Sequence, residues 1–298
     1  MNWVVLAFLT AIFRSLADVF SKIGLQRADL FVVSWSIRAF SLPVLLPVLF
    51  FIEIPSLDLQ FWFALLVGAG LNVLTTILYM RALQDSDLSV TVPMISFTPV
   101  FLLVTSPLMI GEFPELFSLL GVLFVVGGSY FLQIQKAQLD LLGPFKALFR
   151  EKGPRLMLLN AIIWSVTANV DKIGIEHSSP FFWVVVTHTG ISIGLLPIML
   201  QRSFHHTPEL KHKFGILFPI GLVTSLALIC QMAALTMTLV VHVIAIKRVS
   251  TVLSVIWGAS IFREKGFGSR MSGVLIMLLG VLMITLGSDL LKALDFFP

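Results

Sequence analysis

Charged residues and cysteine are scarce in this sequence. Asp, Glu, Lys and Arg make up 12% of its 298 residues, about half of the roughly 25% that soluble domains carry. Apolar residues make up 57%. This balance excludes a soluble globular protein, a disordered chain and a nucleic-acid-binding protein, so we expect no nucleic-acid partner. The single cysteine, Cys230, excludes a disulfide within the chain.

Leader and enzyme motifs are missing as well. The first residues carry no basic region and no small-residue cleavage site, so we interpret the first apolar stretch as a retained span. No zinc-protease, nucleophile-elbow or phosphate-loop motif occurs. We therefore predict no enzyme activity, no catalytic residue and no cofactor. His205, His206 and His212 are too weak a cluster to predict a metal site.

Ten apolar stretches are each long enough to cross a membrane as a helix, which takes about 20 residues. They lie near residues 3–21, 30–52, 61–80, 88–110, 116–134, 156–175, 181–200, 214–236, 239–262 and 271–291. The connections are short and leave no room for a separate soluble domain. The sequence therefore predicts an all-α membrane protein with ten transmembrane helices.

The two halves of the chain resemble each other at a nearly constant offset. Residues 11–15 and 22–24 match residues 161–165 and 172–174 at an offset of 150. At an offset of 152, the matching pairs are Ala82 and Ala234, Leu83 and Leu235, Glu112 and Glu264, Gly121 and Gly273, and Gly128 and Gly280.

Each repeat would hold five spans. Because five is odd, the second repeat enters the membrane from the opposite side, as in the inverted repeats of secondary transporters. We predict five-helix repeats at 1–135 and 156–298, joined by an interfacial segment at 136–155. A duplicated structural or receptor-like bundle is the alternative.

Basic residues are divided unequally between the two sides of this topology. The side reached after spans one, three, five, seven and nine holds 14 of them: Lys22, Arg27, Arg81, Lys136, Lys146, Arg150, Lys152, Arg155, Arg202, Lys211, Lys213, Arg263, Lys265 and Arg270. The other side holds only Lys172 and Lys292. Positive loops stay in the cytoplasm, so we expect both termini outside, in a bacterial inner (plasma) membrane.

Several short motifs then suggest a family. They are residues 79–83, Pro93, residues 98–101, Gly111-Glu112 and the Gly121/Gly128 pair, repeated more loosely in the second half. In order and spacing they resemble the EamA-type unit of the drug/metabolite transporter superfamily. The resemblance implies ten helices, a central cavity lined by helices 1, 3, 4, 6, 8 and 9, and export or exchange of small metabolites.

Two features depart from that pattern. Proteins of this kind generally have both termini in the cytoplasm, whereas the charge distribution here predicts them outside. Span nine also carries Lys247-Arg248, which resembles the triose-phosphate and nucleotide-sugar translocator branch. That resemblance implies contact of the pair with the anionic part of a substrate.

Four basic residues lie well inside predicted spans: Arg14, Arg38, Lys247 and Arg248. Asp18 is the only comparably placed acid, and Asp171 lies nearer the end of span six. A charge at this depth costs about 2.5–3.5 kcal/mol on insertion scales, so each needs a partner in the protein or in water. Because cations outnumber acids, an anionic substrate would supply the missing charge.

Purely structural interpretations remain open for these charges. Arg14 and Asp18 are four residues apart and would form a pair within one helix. Arg38 would pair with Asp18 or with carbonyls freed near Pro43. For Lys247 the pattern instead favours substrate contact, because it shares a predicted polar stripe with Ser250, Thr251, Ser254 and Gly258, and such a stripe suits a water-filled cavity.

Other polar residues in the spans are weaker candidates for substrate contact. Tyr79, Gln231, Trp164 and Asn169 would orient a polar substrate, with hydrogen bonds between helices as the alternative. His242 would relay protons, with a hydrogen-bonded packing role as the alternative, and His188 is less informative still. We interpret the paired glycines as close-packing seams, and Glu112 and Glu264 as helix caps.

Together these features predict a secondary transporter that moves a small anionic or zwitterionic metabolite by alternating access. Lys247 and Arg248 would bind the anionic group, Arg14 and Arg38 would assist, and Asp18 would tune them or carry a proton. The alternatives are a flippase for a phosphate-linked lipid, and a non-transporting membrane scaffold or polytopic enzyme. Substrate identity, direction, coupling ion and oligomeric state are left open.

Overall fold

The computed structural model describes residues 3–85, 92–134, 152–206, 209–262, 273 and 275–284, and every regular element in these ranges is helical. The α-helices are α1 (Trp3–Leu25), α2 (Leu30–Ala39), α3 (Leu42–Leu45), α4 (Leu59–Asp85), α5 (Thr98–Ile110), α6 (Leu116–Ile134), α7 (Lys152–Glu176), α8 (Pro180–Ser203), α9 (Glu209–His212), α10 (Phe214–Leu235), α11 (Val240–Lys247), α12 (Ser250–Phe262) and α13 (Leu275–Ile284). Three 3₁₀ segments are Leu46–Phe51, Val92–Phe97 and Phe204–His206.

Six helical segments are long and apolar enough to cross a membrane: Trp3–Leu25, Leu30–Phe51, Leu59–Asp85, Lys152–Glu176, Pro180–Ser203 and Phe214–Leu235. Shorter apolar helices occupy Thr98–Ile110, Leu116–Gly128 and Leu275–Ile284. The predicted all-α class is therefore confirmed for the described residues, and their helices are long and apolar enough for several membrane crossings. The count of ten spans stays a prediction.

Three of the long helical segments begin at a side-chain cap, because the first N–H groups of a helix have no partner within it. Asp29 accepts from the Phe31 N–H at 2.8 Å and starts α2. Asp58 accepts from the Phe61 N–H at 2.9 Å and starts α4. Ser179 starts α8 in the same way. The Phe61 N–H, followed by His177, holds the pKa of Asp58 below its ordinary value.

Two predicted spans are interrupted at equivalent positions of the repeats. A 3₁₀ segment gives way to α5 at Thr98, and α12 begins at Ser250, 152 residues later. Pro99 in the first turn of α5 explains the first break, because proline cannot donate a backbone hydrogen bond. In predicted span nine the helix tightens after Lys247, where the Arg248 and Val249 N–H groups bond three residues back.

Glycines pack α6 closely against the segment at 273–284. A Cβ on Gly121 would lie 2.7 Å from the carbonyl oxygen of Gly280, and one on Gly128 would lie 2.7 Å from that of Gly273. Side chains cannot fit at these distances, so the predicted glycine seam is confirmed. The earlier glycine of one repeat meets the later glycine of the other, so these segments are antiparallel.

The buried apolar residues form two main clusters at opposite ends of the long helices. One cluster contains Phe61 at the start of α4 and Val170 near the end of α7. The other contains Tyr79 near the end of α4 and Met157 at the start of α7. Polar residues from the middle turns of the same helices lie between the two clusters, where they line a cavity.

Candidate functional site

A cavity of about 80 Å³ lies at the centre of the bundle. Its lining includes Arg14, Arg38, Asn72, Thr98, Trp164, Asp171, Gln231, Lys247 and Arg248. These residues come from predicted spans 1, 2, 3, 4, 6, 8 and 9. The six spans that the EamA resemblance implied are all represented, and span two joins them through Arg38.

Arg14 is held by a carboxylate. Its Nε lies 3.1 Å from Asp18 Oδ1, one turn further along α1, and the Tyr79 hydroxyl donates to the same oxygen at 2.9 Å. The Arg14 guanidinium also stacks 5.3 Å from the centroid of the Trp164 ring. The pair predicted from the four-residue spacing therefore exists, and Asp18 offsets the charge of Arg14.

Arg38 has different partners from those expected. Its Nη1 lies 3.0 Å from His188 Nε2, and its Nη2 donates to the Thr76 hydroxyl at 3.0 Å. Neither Asp18 nor a carbonyl near Pro43 is a partner of its side chain among the described residues. Thr76 is uncharged, and His188 is uncharged when its ring is neutral. The Nε of Arg38 is buried and has no partner in the described part of the chain.

Lys247 and Arg248 lie where α11 ends, and a helix C-terminus favours positive charge. Lys247 Nζ donates to Gln231 Oε1 at 2.5 Å. Arg248 is 5% exposed, and its guanidinium lies 5.8 Å from the centroid of the Trp164 ring. In the described ranges its Nε has no hydrogen-bond partner, and no carboxylate lies within ion-pair distance of either residue.

Asp171 is a site residue that the sequence pointed to only weakly. It follows Trp164 by seven residues, or about two helical turns, so both face the cavity. The Trp183 ring N–H donates to its Oδ1 at 2.9 Å. A Cβ on Gly174 would lie 2.3 Å from the Trp183 ring, so a glycine there lets Trp183 reach Asp171. The seven-residue spacing from Trp164 was the sequence feature that could have placed Asp171 in the site.

His242 lies outside the site. It is not among the residues that line the cavity; instead its ring stacks on Trp3 at 6.0 Å and its Nδ1 lies 3.2 Å from the Thr238 hydroxyl. The described polar residues of the predicted stripe after Lys247 are also absent from the lining. Three-residue bonds replace the regular α-helical bonds between Lys247 and these residues.

A second charged cluster joins the two repeats away from the cavity. Glu112 Oε2 accepts from the N–H of Val240, the first residue of α11, at 2.9 Å. Lys172 Nζ lies 3.4 Å from Glu112 Oε1 and donates to the carbonyl of Leu235, the last residue of α10, at 2.8 Å. Glu112 is therefore a cap, but of a helix in the other repeat. Glu264 lies outside the described residues.

The model of the EamA-like transporter family matches residues 1–134 and 152–286, nearly the whole chain. The chain belongs to the EamA-like transporter family. The resemblance drawn from the motifs is therefore confirmed, and the protein is a multi-pass membrane transporter with two EamA repeats. Because the family consists of transporters, its membership agrees with the expectation that the chain is not an enzyme.

Solved structures share the fold of this chain. Twenty-eight chains match, and one of them is described only as "Crystal structure of protein". It is 15% identical, covers 97% of this chain and 98% of its own, and has a TM-score of 0.68. At this identity the likeness concerns the fold alone. No curated protein matches.

Proposed function

We propose that this EamA-like transporter is a secondary carrier of the bacterial inner membrane that moves a small anionic or zwitterionic metabolite by alternating access. In this proposal Lys247 and Arg248 bind the anionic group. Arg38 and Arg14 provide further contacts, and Asp18 tunes the charge of Arg14.

The charge of the cavity supports an anionic group most directly. Four cations, Arg14, Arg38, Lys247 and Arg248, line the two adjoining cavities together with two acids, Asp18 and Asp171. Four positive charges less two negative charges leave a formal excess of two. Of these four cations, only Arg14 lies within ion-pair distance of a carboxylate of the described residues. A negatively charged ligand would balance the others.

The kinds of side chain present suit a carboxylate or a phosphate. Arg248 and Arg38 offer planar forks of N–H groups, whereas Lys247 offers a point charge that Gln231 orients. The aromatic face of Trp164 lies beside two of the guanidinium groups. Asp171 has one oxygen held by Trp183, and its other oxygen would accept an ammonium group of a zwitterionic substrate.

The breaks at Thr98 and Ser250 support alternating access. Interrupted helices at matching positions of two repeats mark the binding site in many secondary transporters. Here both breaks adjoin the cavity, since Thr98 and Arg248 line it. Each half-helix is a unit that can tilt without unwinding a whole span.

Ligand-induced stabilisation of the purified protein tests the proposal, because a ligand that binds the folded state raises its melting temperature. The panel would contain inorganic phosphate, malonate, a zwitterionic amino acid, a polyamine and a neutral sugar. We expect stabilisation by an anion or a zwitterion, and loss of that effect in Arg248→Ala and Lys247→Ala.

The matched controls are Arg202→Ala and Lys211→Ala, which remove the same side chains at exposed positions away from the cavity. Both controls should keep the stabilisation. Stabilisation by the polyamine or the sugar alone, or full retention in Arg248→Ala and Lys247→Ala, would contradict the proposal. Transport into proteoliposomes by both cavity variants would contradict it as well.

A further inference from the structure

Arg38 and His188 occupy equivalent positions of the two repeats, 150 residues apart, and their side chains meet. The Arg38 side chain lines the cavity, whereas His188 is 2% exposed and lies behind it. The site already described explains Arg38 as a ligand contact. It gives no role to His188.

The direction of each hydrogen bond around His188 follows from its partners. Arginine only donates, so His188 Nε2 must accept from Arg38 Nη1 at 3.0 Å. A neutral histidine then carries its proton on Nδ1, which lies 2.8 Å from the Ser41 hydroxyl. The Ser41 hydroxyl donates its own proton to the Arg38 carbonyl at 2.6 Å, so its oxygen is available to accept.

Thr76 repeats this arrangement on the other side of the guanidinium. Its hydroxyl donates to the Asn72 carbonyl at 2.6 Å, which leaves its oxygen to accept from Arg38 Nη2. Every proton in the chain of bonds is thereby assigned without conflict. One protonation state fits: a neutral His188 with hydrogen on Nδ1.

We propose that His188, as this neutral Nδ1–H tautomer, is a positioning residue that aims the Arg38 guanidinium at a bound anion while leaving its positive charge intact. The inference rests on the proposed function, in which Arg38 contacts the anionic group. It extends that function by naming a residue that acts on the ligand through Arg38.

The contrast with Arg14 gives the physical reason. A carboxylate also fixes an arginine, but it offsets the charge, as Asp18 does for Arg14. A neutral nitrogen acceptor fixes the geometry and leaves the cation available. Two of the five N–H groups of Arg38 are occupied by His188 and Thr76. Three remain, including the buried Nε–H that has no partner among the described residues.

Protonation of His188 would abolish this arrangement. A second hydrogen on Nε2 would face the Arg38 N–H, and two like charges would lie at hydrogen-bond distance. Arg38, on α2, is a charged residue that faces His188. The Ser41 hydroxyl, just after α2, bonds to His188, and the Thr76 hydroxyl on α4 bonds to Arg38. Arg38 therefore requires the neutral imidazole.

Three variants separate positioning from simple packing. His188→Gln brings an amide oxygen to the place of Nε2 and keeps an acceptor for Arg38. His188→Phe keeps the ring shape but removes the acceptor. Ser41→Ala leaves both Arg38 and His188 in place but removes the acceptor for Nδ1–H, so the tautomer that Arg38 requires then carries a buried N–H without that partner.

The measurement is the affinity of the purified full-length protein for inorganic phosphate and for malonate, with Arg248→Ala as the reference for the site itself. We expect His188→Phe to bind the better of the two anions about tenfold more weakly, since a hydrogen bond to a charged group is lost. His188→Gln should stay within about threefold of the natural protein. Ser41→Ala should fall between them. Nitrogen-15 NMR of labelled histidine should show His188 protonated on Nδ1 alone at neutral pH.

The outcomes distinguish the two proposals. If neither anion binds, or binding is unchanged in Arg248→Ala, the proposed function fails. If the anion binds and Arg248→Ala weakens it, but His188→Phe binds as tightly as the natural protein, the positioning role is overturned. If His188→Phe does not fold, the other two measurements decide. An NMR spectrum that shows the His188 proton on Nε2 overturns the positioning role, and so does an unchanged affinity in Ser41→Ala.

Discussion

Replacement of Lys172 by methionine tests the charged cluster that joins the two repeats. Methionine keeps most of the apolar stem of lysine and removes the ammonium group. The change deletes the ion pair with Glu112 and the 2.8 Å bond to the Leu235 carbonyl. The Glu112 carboxylate then keeps one bond, to the Val240 N–H, and loses its counter-ion.

Burial sets the size of the effect. An exposed ion pair contributes about 0–1 kcal/mol, whereas removal of one member of a buried pair costs about 3–5 kcal/mol. Both side chains of this pair are 14% exposed, which places it near the buried limit. We expect Lys172→Met to lower the free energy of unfolding by about 3 kcal/mol. Glu112→Gln, which keeps an oxygen for Val240, should cost about 1 kcal/mol.

The assay is equilibrium unfolding in mixed micelles, with Lys211→Met as the control at an exposed lysine. A double-mutant cycle with Glu112→Gln and Lys172→Met should give a coupling free energy of at least about 1 kcal/mol. A Lys172→Met protein within about 0.5 kcal/mol of the natural one, which is the usual range of surface substitutions, would refute the reasoning. A cycle without coupling would do the same.

Three further predictions concern the seam, the cap of α4 and the topology. Gly128→Leu should prevent α6 from approaching Gly273 and lower the melting temperature by several degrees, whereas Gly127→Leu, where a Cβ meets open space, should change it little; equal effects would contradict the seam. Because the pKa of Asp58 is lowered, its carboxylate stabilises the fold above its ordinary pKa, and this contribution is lost as the pH falls through the folded value. Asp58→Asn should therefore flatten the acid side of the melting-temperature profile, and an unchanged profile would argue against the cap. A cysteine introduced at Lys292, in a protein whose Cys230 is replaced by alanine, should react with an impermeant thiol reagent in intact cells; reaction only after lysis would reverse the predicted orientation.

Residues that interact within one helix or in repeated motifs were predictable from the sequence. The four-residue spacing of Arg14 and Asp18 gave their ion pair, and the matching glycines gave the seam. Both depend on regular helical geometry, which fixes neighbours from residue numbers alone. The family followed from the order of the motifs, although each motif was weak by itself.

Contacts between distant helices were harder to predict. No proline or glycine lies between Lys247 and Ser250, so the composition at this point does not mark the break. The periodicity argument placed Lys247 on one stripe with Ser250, Thr251 and Ser254, and these three residues are absent from the lining of the cavity. Arg38 was given partners by sequence proximity, whereas its neighbour is 150 residues away. The repeat offset itself was the overlooked signal, because equivalent residues of the two repeats can meet between the halves.

Duplication within one chain gives the protein a freedom that a dimer of identical EamA units would lack. In a symmetric dimer, a residue that meets its own counterpart must meet a copy of itself. Arginine at position 38 would then face arginine, and two like charges would lie within hydrogen-bond distance. Joining the units lets one position hold a charge while the equivalent position holds a neutral acceptor, as Arg38 and His188 do. Arg14 and Trp164 are also 150 residues apart, and here the equivalent position holds an aromatic ring. Fusion of the halves thus allows a one-sided charge at the centre of an otherwise symmetric framework.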